Sequence, residues 1–227
     1  MTSRALWAET RLRYTFKDSA LLERALTHRS ASKDNNERLE YLGDSFLSFA
    51  IARRLYELRP DDPEGDLSRA RAALVKQPTL AQIGQRLGVD AQIILGPGEV
   101  RSGGAQRGAV LADAVEAVIG AVLLDGGAAA AEALIDFVFA EEFAKLPSAA
   151  ALKDAKTLLQ EWLQGNGLPL PSYAVESVTG RDHEQTFVVL CEVEEKDAQT
   201  TGRGSSRRNA EQQAAAAMLS VLTGERN

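Results

Sequence analysis

The apolar residues of this chain change their spacing once, near residue 150, and that change limits the fold more than any other feature. Up to about residue 146 they recur three and four apart, the period of helices with one buried face. The opening segment, "ALLERALTH" (20–28), "DLSRARAALVKQPTLAQIGQRLG" (66–88), "LADAVEAVIGAVLLDGG" (111–127) and "AAEALIDFVFAEEFAKL" (130–146) all read as helices. The stretch 66–88 reads as one helix. The stretch 95–108, rich in glycine with one proline, reads as a loop. After "PSAAALK" (147–153), a linker or equally the extension of a helix, the pattern differs. "DAKTLLQEWLQG" (154–165) is a short helix started by Asp154, "PSYAVESVTG" and "QTFVVLCEVEE" are strands, and "RRNAEQQAAAAMLSVL" (207–222) is a final helix. Phe187, Val189, Cys191 and Val193 alternate onto one strand face. The expectation is a helical domain over 1–146 and a small α+β domain over 154–224.

One helix has an odd polar face. "NERLEYLGDSF" (36–46) puts Glu37, Glu40 and Asp44 within about 60° of one another on a helical wheel. Leu39, Leu42, Phe46 and Phe49 form the expected core stripe on the far side. Like charges one turn apart cost a few tenths of a kcal/mol. A helix start, capped by Asp34 or Asn36, favours Glu37 but not Asp44, which lies two turns in. Read alone, the segment fits a solvated acidic face better than a metal site.

More acids accumulate elsewhere. Asp113 and Glu116 stand one turn apart on a strongly apolar helix, and Glu64 precedes another. With a single cysteine, Cys191, a cysteine-rich zinc site and a disulfide framework are both excluded. An all-oxygen ligand set suits a hard cation, magnesium or manganese. Carboxylate-held ions of that kind activate water and stabilise a leaving oxygen in phosphodiester cleavage. No signal pattern or membrane-length apolar run occurs, and a reducing, cytosolic setting fits.

The net charge of −6 argues by itself against a nucleic-acid partner. Its distribution reverses that reading. Residues 151–227 hold eight Lys/Arg and eleven Asp/Glu, but Glu192, Glu194, Glu195 and Asp197 crowd one strand end and turn. Arg203, Arg207 and Arg208 gather with Ser205 and Ser206 where the last helix begins, and a helix start attracts phosphate. Thr157, Gln160, Glu161 and Gln164 share a face that can meet ribose hydroxyls in an RNA minor groove, or simply solvent. His183 lies in the loop "GRDHEQ" and reads as either a contact or a solvated residue.

Taken together, these motifs resemble bacterial ribonuclease III. "NERLEYLGDSF" looks like that family's signature box. "LGPGEVRSGG", "LADAVEAVIGAVLLDGG" and "KTLLQEWLQG…LPLPSY…GRDHEQTF…GSSRRNAEQQAA" follow in the family's order over nearly the whole chain. The resemblance implies an all-α endonuclease domain followed by an α-β-β-β-α double-stranded-RNA-binding domain. It implies a cytoplasmic homodimer, without membrane attachment, that cuts RNA duplexes to 5′-phosphate and 3′-hydroxyl ends. Precursors of ribosomal RNA and other structured transcripts are the implied substrates. Glu40, Asp44, Asp113 and Glu116 would hold Mg2+, with Mn2+ a plausible substitute. Asp44 and Glu116 would be catalytic, and Glu37 and Glu64 supporting acids. Thr157, Gln160, Glu161, Gln164 and His183 would face the minor grooves. Ser205, Ser206, Arg207 and Arg208 would bind phosphates, and Arg107 would be a further RNA contact. Tyr41, Ser45 and Phe46 are read as serving the dimer as well as the core. The chain departs from the family at "AQRGAV" (105–110), Ala155 and Asn209. All six acidic positions are filled, which argues against an RNA-binding protein that has lost its chemistry.

Overall fold

The computed structural model describes residues 3–147, 154–181 and 184–224. It separates the chain into two compact units, 1–146 and 147–227. Most of the expected linker, 148–153, lies outside the described residues.

The first unit is helical: α1 (Ser3–Trp7), α2 (Ser19–Ala25), α3 (Glu37–Leu58), α4 (Glu64–Val75), α5 (Gln77–Leu87), α6 (Pro97–Arg101), α7 (Gly108–Gly126), α8 (Ala128–Val138) and α9 (Ala140–Ala144). Helix α7 is apolar nearly all round, so it can only be a central element. Val110, Leu111, Val115, Val118, Ile119 and Val122 are buried on it, and α2, α3, α5 and α8 pack around it. The tightest crossing is with α3, where two glycines meet. A Cβ on Gly43 would overlap the carbonyl oxygen of Glu116, and one on Gly120 would overlap that of Leu39.

That crossing corrects the expected stripe of α3. The buried line is Leu39, Gly43, Leu47, Ala50, Ile51 and Leu55. Phe49 is 59% exposed and Phe46 only half-buried. Close backbone approach at Gly43 turns the 39–43–47 edge inward and rolls the aromatic edge out. The expected single helix over 66–88 is two. Lys76 is extended (φ −66°, ψ 147°), and Pro78 sits in the first turn of α5. Proline fits a first helical turn and cannot donate within a continuous helix. The expected loop 95–108 holds α6 and a 3-10 turn over Gly104–Gln106. Asn36 is the N-cap of α3 as expected but makes no side-chain capping bond; Asn35 Oδ1 accepts the Glu37 N–H at 3.0 Å instead.

The second unit has α10 (Ala155–Gly165), β1 (Ser172–Thr179), β2 (Thr186–Val193), β3 (Ala198–Gly204) and α11 (Arg207–Thr223). The strands form an antiparallel sheet in the order β1-β2-β3. Both helices bury Leu159, Leu163, Ala214, Ala215 and Met218 with Cys191 and Val193 of β2. Asp154 starts α10 as read, accepting the Thr157 N–H at 2.9 Å. Gly202 and Gly204 let α11 lie close on β3, since a Cβ at either would overlap its backbone.

Candidate active site and RNA-facing elements

Asp113 and Glu116 are the only charged residues between Gly108 and Leu124, on the most buried helix of the unit. The α3–α7 crossing brings Glu40 beside them. One oxygen from each of Glu40, Asp113 and Glu116 lies within 4.8 Å of the others. Burial pushes Glu116 up to about 8, and the charges of Asp44, Asp113 and Glu40 add to that. Glu40 is raised too, by burial first and then by Asp113 and Glu37. Asp113 is raised by burial against the pull of His28 and Arg29. Three acids that hold back their protons in one spot form a site that favours a multivalent cation. Oxygen-only donors fit a hard one.

The other expected acids sit around this cluster rather than in it. Asp44 is exposed one turn along α3, yet its charge acts on Glu116. Glu37 is exposed, with Arg29 at 3.6 Å. Glu64 is exposed at the start of α4 and accepts from the Ser68 hydroxyl at 2.8 Å. It does not join the three-carboxylate group. A pocket of about 560 Å³ opens beside Glu40 and Asp113, with His28, Arg29, Glu37 and Arg107 in its wall. Arg107 is half-exposed there and pairs with Glu99 at 2.8 Å.

His28, Arg29 and Glu99 were missed in the sequence. The string "THRS" follows a helix directly, but nothing in it points to residue 113. Their placement depends on a loop contact: the His28 N–H donates to the Ile94 carbonyl at 3.0 Å, and the Gly96 N–H to Ser30 Oγ at 2.9 Å. His28 Nδ1 meets Ser30 Oγ at 2.8 Å, which fixes the ring.

In the second unit, Glu161 and Gln164 are exposed on α10, and Thr157 and Gln160 half-buried beside them. Ser205, Arg207 and Arg208 are exposed at the start of α11. Ser206 is its N-cap and accepts the Asn209 N–H at 3.2 Å, so its hydroxyl also serves the helix. His183 lies outside the described residues.

A helical unit with converging carboxylates, joined to an α-β-β-β-α unit with arginines at a helix start, defines a two-domain class built to act on nucleic acid. Residues 18–142 match the family described as Ribonuclease-III-like, and 155–222 match the double-stranded RNA binding motif. A Ribonuclease 3 of Delftia acidovorans is 54% identical over 214 residues, 94% of either chain. One of Dechloromonas aromatica is 50% identical over 222 residues, 98% of this chain and 99% of that one. The solved nuclease domain of ribonuclease III from Campylobacter jejuni aligns at a TM-score of 0.61 and 37% identity, over 64% of this chain and 100% of its own. The chain belongs to the ribonuclease III family.

Proposed function

We propose that this chain is an endoribonuclease that cuts double-stranded RNA at the Glu40–Asp113–Glu116 cluster. Residues 1–146 carry the chemistry and 154–224 grip the duplex. The observation that carries this reading is the convergence of three carboxylates from two crossing helices, within 4.8 Å. Glu40, Asp113 and Glu116 would hold the cation, with Asp44 alongside and Glu37 and Glu64 as outer acids. Mg2+ is the proposed ion and Mn2+ a substitute. When bound, it supplies an activated water and charge stabilisation at the leaving oxygen.

The protein's own groups do the rest. Glu116 would serve as the carboxylate, its proton passing to water, and the close α3–α7 crossing holds it beside Glu40. His28, Arg29 and Arg107 offset the acids on the side where a polyanion must enter. In the second domain, Arg207 and Arg208 with Ser205 and Ser206 take phosphates. Thr157, Gln160, Glu161 and Gln164 lie along the minor groove. The enzyme acts in the cytoplasm as a homodimer, on ribosomal RNA precursors and other structured transcripts. Tyr41, Phe49 and Tyr56, all exposed on α3, offer the apolar face for the second copy. The structure of a Campylobacter jejuni ribonuclease III nuclease domain, 40% identical, is described by a region involved in its dimer formation.

The test is cleavage of a labelled, perfectly paired RNA with magnesium, beside a single-stranded control. Cutting of the duplex alone, with new 5′-phosphates and abolished by chelator, is the expected result. Tight duplex binding with no cutting would replace the enzyme by an RNA-binding protein that keeps the fold.

A further inference from the structure

A carboxylate sits where the RNA-binding domain should avoid one. Glu211 lies one turn from the start of α11, directly beside the arginines that face phosphate. Its side chain is only 13% exposed, so it is not a solvated bystander. It holds two cations: Lys156 Nζ of α10 at 2.7 Å and Arg207 Nε at 2.8 Å. The local pair does not explain it, because arginine four residues before glutamate is the weaker order on a helix.

The geometry continues past the ion pairs. Gln212 Oε1, the next residue, accepts the Lys156 backbone N–H at 3.1 Å. That N–H lies in the first turn of α10 and has no partner within its own helix. Lys156 Nζ also stands 4.3 Å from the centre of the Tyr173 ring on β1. Two consecutive residues of α11 therefore grip one residue of α10, which leans on the sheet. Arg207 donates through Nε, so its two terminal nitrogens still point from a side chain that is 64% exposed.

We propose that Glu211 is a positioning residue for duplex binding: it clamps Lys156 and Arg207 together, fixing the spacing between the groove-facing side of α10 and the phosphate-facing start of α11. Duplex RNA presents minor-groove hydroxyls and phosphates at set distances. A clamp between the two reading elements sets their separation before RNA arrives, which lowers the ordering cost of binding. Lys156 is then a strut, its charge neutralised within the protein. This rests on the assignment of Arg207 and Arg208 as phosphate contacts.

Charge alone and positioning predict opposite signs. Removing a negative charge beside a polyanion site should tighten binding. Removing a clamp should weaken it. Binding of the full chain to a perfectly paired RNA in chelator, where no cutting occurs, decides between them. Glu211→Gln is expected to weaken binding about tenfold, the size of one lost coupled contact, with the salt slope unchanged. Tighter or equal binding overturns the proposal. Lys156→Met is the second variant, for the case that Glu211→Gln melts the domain. As a strut, its loss weakens binding without changing the salt slope. A slope reduced by about one would make Lys156 a phosphate ligand instead and overturn the clamp. Arg207→Ala with Arg208→Ala runs alongside. If that pair binds normally, the phosphate assignment itself fails. If it binds weakly while Glu211→Gln binds tightly, only the clamp fails.

Discussion

Glu116 is the residue on which the site turns, because it sits deepest and faces the most negative charge. Its carboxyl is pushed from 4.5 up to about 8, first by burial and then by Asp44, Asp113 and Glu40. Between those values the folded protein holds a proton that the unfolded chain has lost. Stability of the metal-free protein therefore falls as pH rises through that window, and is fullest below it. Glu40 and Asp113 shift in the same direction and reinforce the trend. Melting of chelated protein between about pH 5 and pH 8 should show this decline. Glu116→Gln keeps the shape without the charge, so its curve should be flatter across the same range. The same variant should cut RNA more slowly, by about a hundredfold or more, while binding it normally, a loss on the scale of removing one group that stabilises transition-state charge. Equal loss of binding and cutting would mean that Glu116 serves the fold rather than the chemistry.

The crossing of α3 and α7 is what turns separate acids into a site. Gly43 lies between Glu40 and Asp44 on α3, and its missing side chain admits the Glu116 carbonyl. Gly43→Ala gains about 0.5–1 kcal/mol in helix propensity but forces two packed backbones apart, at about 1–3 kcal/mol. The net expectation is a lower melting temperature, with cleavage reduced beyond what the lost stability explains. Unchanged melting and activity would show that the helices can separate without cost. The sequence displayed the acids, the helix that carries Asp113 and Glu116, and the alternation of β2, because each repeats with a local period. It did not display this crossing. A glycine inside an acidic box reads as a weak helix residue until its neighbour is known, and so the spacing places Phe49 in the core although it is exposed. Pro78 was a local signal of the break between α4 and α5, masked by apolar spacing that stays helical on both sides. His28 and Arg29 could not be found from spacing at all, since the contact of 28–30 with 94–96 is what brings them to Asp113.

For the whole molecule, a net charge of −6 must be reconciled with a polyanionic substrate. Patches decide this. Replacing Arg207 and Arg208 by alanine should weaken binding to every duplex sequence alike and lower the salt slope by about two, one per phosphate contact. An effect confined to one sequence would instead mark these arginines as base readers. The second patch is apolar. Tyr41 is 77% exposed, Phe49 59% and Tyr56 72%, at spacings that keep all three on one side of α3. Aromatic residues aligned on one exposed helix face mark a surface built to be covered, and a face that meets its own copy closes a symmetric pair. Because Glu40 and Asp44 share that helix, a change of assembly through this face would reach the site without touching a carboxylate. Tyr41→Glu with Phe49→Glu places like charges where the two copies would meet. Sedimentation should then report a monomer, with duplex affinity of the second domain retained and cutting lost. A variant that stays dimeric and active would remove this face from the interface, and the second copy would have to dock elsewhere.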